Sequence, residues 1–171
     1  MTFGAKAGLN MQTISGGRYF EDSYKAGVSG GAFISVNRYR HGVRAEALVK
    51  TGRFNLYNGN SHYNTIGIDV PVLYEVKLID RLWLQFGPQF SAMVSARSSG
   101  AGGNRVDVKN RFRAADLAAV GGLEVTLPYR LVGGMRYIFG FVDVNNTNYI
   151  YATPETWRNK SIQIYLGYRF F

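Results

Sequence analysis

Apolar residues in this chain recur at every second position. From Phe3 to Met11 every odd residue is apolar, and Gly4, Lys6, Gly8 and Asn10 stand between them. The same period runs through Val28–Val36, Val43–Val49, Ile66–Tyr74, Leu82–Phe90, Ala115–Val125, Leu131–Phe141 and Ile162–Phe170. Side chains one apart on a strand point to opposite faces, and a helix cannot reproduce that period. The pattern predicts about eight strands of ~10 residues, the length a tilted strand needs to cross a bilayer. One face is largely apolar. The other carries Lys6, Arg44, Glu46, Lys50, Asp69, Glu75, Asp116, Glu124, Arg130, Arg136 and Arg169. A soluble barrel turns its apolar row inward, whereas a membrane barrel turns it toward lipid. Alternation alone fits both.

The connections separate the two. The stretches Ser15–Lys25, Asn55–His62, Arg97–Asn110 and Asn145–Asn159 are long. Between them come the short turns Arg38–Gly42, Ile79–Arg81 and Leu127–Tyr129. Long connections on one side and short ones on the other mark an outer-membrane barrel with an even strand number. Composition agrees. Gly is 21 of 171 residues and aromatics reach 15%, which suits close-packed strands and aromatic belts better than a helical bundle. No apolar run approaches the ~20 residues of a membrane helix. The mean hydropathy of −0.12 averages two opposite rows and polar loops. Zero cysteine removes thiol catalysis and Cys-based zinc sites.

The expected fold is therefore all-β: an eight-stranded antiparallel up-and-down transmembrane β-barrel with long extracellular loops and short periplasmic turns. Residues 1–171 are expected to form a single domain, with both termini periplasmic. No basic-then-apolar leader opens the chain, so a signal peptide is expected to have been removed. The expected location is the outer membrane of a Gram-negative-type bacterium.

The closing strand Ile162–Phe171 alternates and ends on aromatics, with the row in phase when counted from Phe170. It resembles the strand by which barrel-assembly machinery recognises its clients, which makes Tyr168, Phe170 and Phe171 a candidate assembly signal. Further motifs appear in order: Gly4-Ala5-Lys6-Ala7-Gly8-Leu9-Asn10, Glu46-Ala47-Leu48, Ile68-Asp69-Val70-Pro71-Val72-Leu73, Gly87-Pro88-Gln89-Phe90, Asp116-Leu117 and Arg136-Tyr137-Ile138-Phe139-Gly140. Together with Leu166–Phe170 they resemble the PorT-like family of outer-membrane β-barrel proteins. The resemblance implies a signal-cleaved eight-stranded barrel. Some members take part in type nine secretion and gliding, and most have no assigned activity.

Charges on the inward row must pair or meet water, because an isolated buried charge is very costly. Lys6, Arg44, Glu46, Lys50, Asp69, Asp116, Glu124, Arg130 and Arg136 are the expected lumen network, with Asp69, Asp116 and Glu124 facing Arg130 and Arg136. The basic stretch Arg97, Arg105, Lys109, Arg111 and Arg113 is a candidate contact for lipopolysaccharide phosphates or an acidic partner. The net charge of +9 is spread over loops, turns and lumen, so nucleic acid is not the inference. Tyr63, Tyr74, Trp83, Tyr129, Phe141, Tyr149, Tyr151, Trp157 and Tyr168 are placed for interfacial girdles. Pro71 lacks an N–H, so it predicts either a bulge or the end of a ladder. The only histidines are His41, in a basic turn, and His62, beside Ser61. Strand neighbours point apart, so no nucleophile–base pair is expected, and no metal site or cofactor. The expected function is a non-enzymatic barrel that docks to other envelope proteins or lipopolysaccharide. The alternatives are a lipid A-modifying enzyme and a soluble ligand-binding barrel.

Overall fold

The computed structural model describes residues 1–15, 25–55, 62–99, 105–107, 115–141 and 158–170. Its strands are β1 (Thr2–Ser15), β2 (Lys25–Arg38), β3 (His41–Asn55), β4 (His62–Ile79), β5 (Leu82–Ser99), β6 (Arg105–Asp107), β7 (Ala115–Thr126), β8 (Leu131–Gly140) and β9 (Arg158–Arg169). Every stretch of period two becomes a strand, most of them extended beyond the alternating residues. All pairings are antiparallel. The wall runs β4-β3-β2-β1-β9-β8-β7-β5, and a β4–β5 pairing closes it into a barrel of eight long strands. The three-residue β6 pairs with Arg97–Ser99 at the end of β5, inside the stretch that the sequence assigns to a loop. Closure matters energetically, because only a sheet without edges satisfies every backbone group inside lipid. The seam is the β1–β9 ladder, from Gly4↔Arg169 to Ser15↔Arg158.

The apolar row faces outward. On β9, Ile164 and Leu166 are 56% exposed, while their neighbours Gln163 and Tyr165 are 4% exposed. On β4, Ile66, Ile68, Val70 and Val72 are exposed, and Asp69, Leu73 and Glu75 are buried. This is the reverse of a soluble ligand-binding barrel, whose charged row would meet water. Trp83 departs from the expected girdle. It shares the inward row of β5 with Gln85 and Gln89 and is buried. Tyr74, Tyr129, Phe141 and Tyr168 are exposed. The side chain of Tyr63, and all of Tyr149, Tyr151 and Trp157, lie outside the described residues.

Three tight turns sit at the end that also holds the start of β1 and the finish of β9: Tyr39-Arg40, Asp80-Arg81 and Leu127–Arg130. Backbone bonds fix the first two to neighbouring strand ends, from Lys77 N to Arg40 O and from Thr126 N to Arg81 O, both 2.7 Å. The expected long connections fall largely outside the described residues.

Pro71 makes neither a bulge nor an end. The β3–β4 ladder runs Ala45↔Val72 and resumes at Leu48↔Asp69 in unchanged register. The β4–β5 ladder likewise runs Pro71↔Gln89 and resumes at Tyr74↔Phe86, skipping the residues opposite Pro88 and Gly87. Each proline opens a short gap on one side, because the missing N–H removes a ladder bond without adding a residue. The register shifts lie elsewhere, at Ile66/Gly67 and Lys77/Ile79.

Candidate functional site

The barrel interior holds one continuous polar cluster in the half nearer the tight turns. Arg136 of β8 lies across the lumen from Glu46 of β3. Its Nη1 donates to Glu46 Oε2 at 2.7 Å, and its Nη2 donates to Glu46 Oε1 at 2.8 Å. The Arg136 Nε and Nη2 also donate to Gln85 Oε1 of β5, at 3.0 and 2.6 Å. Arg44 of β3 makes a second fork, to Glu124 of β7 at 2.5 and 2.8 Å. Its Nε faces Glu75 Oε1 at 2.9 Å. Lys6 Nζ reaches Glu46 Oε2 at 2.6 Å, and Arg169 Nη2 donates to Glu124 Oε1 at 3.0 Å. These forks connect strands that do not adjoin in the wall, so they brace it from inside.

Neutral side chains complete the cluster. Gln85 Nε2 donates to Glu75 Oε1 at 2.7 Å. The Tyr165 hydroxyl lies 3.0 Å from Glu124 Oε2 and 3.1 Å from Gln85 Oε1. Its ring takes Lys6 Nζ at 4.2 Å and Arg136 Cζ at 4.6 Å, and Arg44 Cζ lies 4.5 Å from the Phe33 ring. Cations over aromatic faces gain most where water is excluded. Glycine makes the room. A Cβ on Gly134 would come within 2.4 Å of the Tyr165 ring, and one on Gly122 within 2.6 Å of Arg136 Cγ.

Four cations (Lys6, Arg44, Arg136, Arg169) meet three carboxylates (Glu46, Glu75, Glu124) here. Burying such charges is tolerable only when forks and hydrogen bonds satisfy them together. The chemistry of this arrangement is to hold charge still. The Arg44, Glu46, Glu124 and Arg136 side chains are at most 1% exposed, and Arg169 reaches 20% near the tight-turn end.

A separate layer lies toward the other end. Lys50 Nζ meets Asp69 Oδ1 at 2.7 Å. Gln163 Nε2 donates to Ser29 Oγ at 2.9 Å, and Ser29 Oγ in turn donates to Asn10 Oδ1 at 3.4 Å.

Of the residues expected in the lumen, Lys6, Arg44, Glu46, Glu124 and Arg136 come together, and Lys50 pairs with Asp69 apart from them. The pairings differ from expectation. Glu124 takes Arg44 and Arg169, and Asp69 takes Lys50, because barrel stagger sets which inward residues share a level. Arg130 is not in the lumen. It takes a φ of 63° in the β7–β8 turn, is exposed, and donates from Nη1 to Phe170 O at 2.7 Å. The side chain of Asp116 lies outside the described residues. So do the side chains of Arg97 and Arg105, and all of Lys109, Arg111, Arg113 and Phe171. Tyr168 and Phe170 are exposed with ring centroids 5.6 Å apart, and the Phe3 ring lies tilted against Phe170 at 5.6 Å across the seam. His41 Nδ1 lies 2.9 Å from the Tyr74 hydroxyl on the outer surface, and the side chain of His62 lies outside the described ones.

Gln85 and Tyr165 carry much of the cluster without being singled out by the sequence. Their signal was parity: each sits in the inward row between outward apolar residues. Glu75 and Arg169 fall on that row too, with nothing in the sequence to name their partners.

Residues 1–146 match the sequence model described as an outer membrane protein beta-barrel domain. No curated protein matches the chain. Among solved structures, Ail, the attachment invasion locus protein of Yersinia pestis, superposes with a TM-score of 0.61 at 15% identity, over 99% of this chain and 98% of that one. Ail in complex with the heparin analogue sucrose octasulfate gives 0.63 at 15% identity, over 99% and 98%. Neisserial surface protein A gives 0.63 at 12% identity, over 98% and 97%. At such identities the likeness is one of fold.

Proposed function

Because the chain belongs to the outer membrane protein beta-barrel domain family, we propose that it works without catalysis, as an accessory barrel that docks to lipopolysaccharide or to other envelope proteins through its outer face. The observation that carries this reading is the lumen. Arg44, Glu46, Glu124 and Arg136 are engaged with one another, so the interior is committed to bracing the wall. An eight-stranded barrel is only wide enough to be filled by side chains, which leaves its ends for recognition.

The stretch with Arg97, Arg105, Lys109, Arg111 and Arg113 supports a polyanionic partner, since Asp107 is the one acid among them. Ail, a barrel of the same fold, has been crystallised with a polysulfated heparin analogue. The motifs Ile68–Leu73 and Arg136–Gly140 support a place near PorT-like barrels, and with it a secretion or outer-membrane assembly complex among the protein partners. Tyr168, Phe170 and Phe171 serve the barrel-assembly machinery during biogenesis in this reading.

The test is binding of the folded protein to lipopolysaccharide vesicles, with copurification of envelope proteins in mild detergent. Changing the five basic residues to Gln should weaken vesicle binding by about tenfold and flatten its salt dependence. Unchanged binding with no copurifying partner overturns the proposal, as does turnover of a lipid substrate by the purified barrel.

A further inference from the structure

The tight-turn end carries a charge pattern that the lumen and the outer loops do not explain. Arg38, Arg40, Arg81 and Arg130 are all exposed there. The acid in these turns, Asp80, is already 3.1 Å from Lys77 Nζ. Among the described residues, then, four guanidinium groups stand on this rim without a carboxylate partner. Arg130 spends one N–H on the Phe170 carbonyl, and Arg38 lies 5.9 Å from the Tyr39 ring. Both contacts leave donors free.

The tyrosines at the tips point the same way. Tyr39 and Tyr129 are 87% and 88% exposed, at φ of 55° and 58°. Left-handed backbone favours Gly or Asn, so a large ring there is strained and finds little of the protein to pack on. Tyrosine is the side chain that gains from a place with one wet and one apolar side. Such a place begins here, because the outward apolar wall reaches the turns through the exposed Val36, Val43, Leu78, Ile79 and Leu127. The rim is also held rigid by the backbone bonds from Lys77 to Arg40 and from Thr126 to Arg81.

We infer that this rim binds the anionic phospholipid headgroups of the periplasmic leaflet. A guanidinium fork matches two phosphate oxygens. A zwitterionic headgroup carries its own ammonium, which offsets the attraction, so lipids with an uncompensated phosphate are selected. The tyrosine rings lie at headgroup depth between the arginines. The inference rests on the barrel spanning the outer membrane with its tight turns toward the periplasm, and it is independent of what the outer loops bind.

The experiment uses the full chain folded into nanodiscs of mixed phosphatidylcholine and phosphatidylglycerol, with retained lipid counted by native mass spectrometry. The wild type should retain phosphatidylglycerol in preference. The Arg40→Gln/Arg81→Gln variant, which touches only exposed turn residues, should retain about tenfold less or lower still. Arg53→Gln, at the opposite end of β3, should match the wild type. Release of phosphatidylglycerol from the wild type at high ammonium acetate is a second readout that needs no variant. Equal retention by the turn variant, an equal loss in Arg53→Gln, or indifference to salt overturns the inference. Displacement by inorganic phosphate at the same concentration as the lipid would show recognition of the bare ion, and would overturn the lipid assignment.

Discussion

Arg136 keeps its charge inside a protein wall because four N–H···O bonds hold it there. Two meet Glu46, the Gln85 carbonyl takes two contacts, and the ring of Tyr165 covers the flat face. Removing one partner from such a site leaves the other charge buried and unpaired. Arg136→Met should therefore cost about 3–5 kcal/mol in urea unfolding from lipid vesicles. Glu46→Gln/Arg136→Met should cost less than the sum of the two single changes, by about 1–3 kcal/mol. Strict additivity would mean that the fork contributes nothing as a pair. Inward position was readable at Arg136, Glu46 and Arg44, since each lies in phase with the charged row. Partner choice was not readable, because Arg136 and Glu46 are 90 residues apart and meet only across a closed barrel. Tyr165 was hidden for another reason: tyrosine in a membrane barrel is first read as an interfacial residue, and only its parity with Gln163 says otherwise.

At the scale of the element, the β7–β8 turn shows where alternation stops being informative. Tyr129 and Arg130 take φ of 58° and 63°, the paired left-handed geometry that hairpins prefer and that Asn-Gly fits best. Turn residues follow turn geometry and not the row, which is why Arg130 points out although it is in phase with Arg136. The prolines teach the converse. Pro71 looks like a defect in β4, yet the register passes through it intact, because losing one N–H costs a bond while inserting a residue would cost the phase of the whole strand. The turn carries its own prediction. Tyr129→Asn should raise the unfolding free energy in zwitterionic micelles by about 1 kcal/mol, and Tyr129→Val should lower it, as measured by thermal melts. A gain on Val would show that the backbone at Tyr129 is not strained.

The whole molecule inverts the ordinary relation between hydropathy and interior. Its outward row is apolar and its middle is ionic, so the mean hydropathy of −0.12 describes neither surface. That inversion decides what the lumen can transmit. A water file through the barrel would have to pass the level at which Arg44, Glu46, Glu124 and Arg136 interlock, and there their side chains are at most 1% exposed. The wild type should accordingly show no discrete current steps in planar bilayers. Arg44→Ala/Arg136→Ala removes both forks and leaves Glu46, Glu75 and Glu124 on the lumen wall. If that variant folds, as a shift between boiled and unboiled gel mobility would report, it should pass small cation-selective currents. The carboxylates left behind attract cations, and the vacated volume admits water. Steady current through the wild type would place a continuous wet path beside the ionic cluster, and the bracing role argued for these residues would then give way to a conducting one.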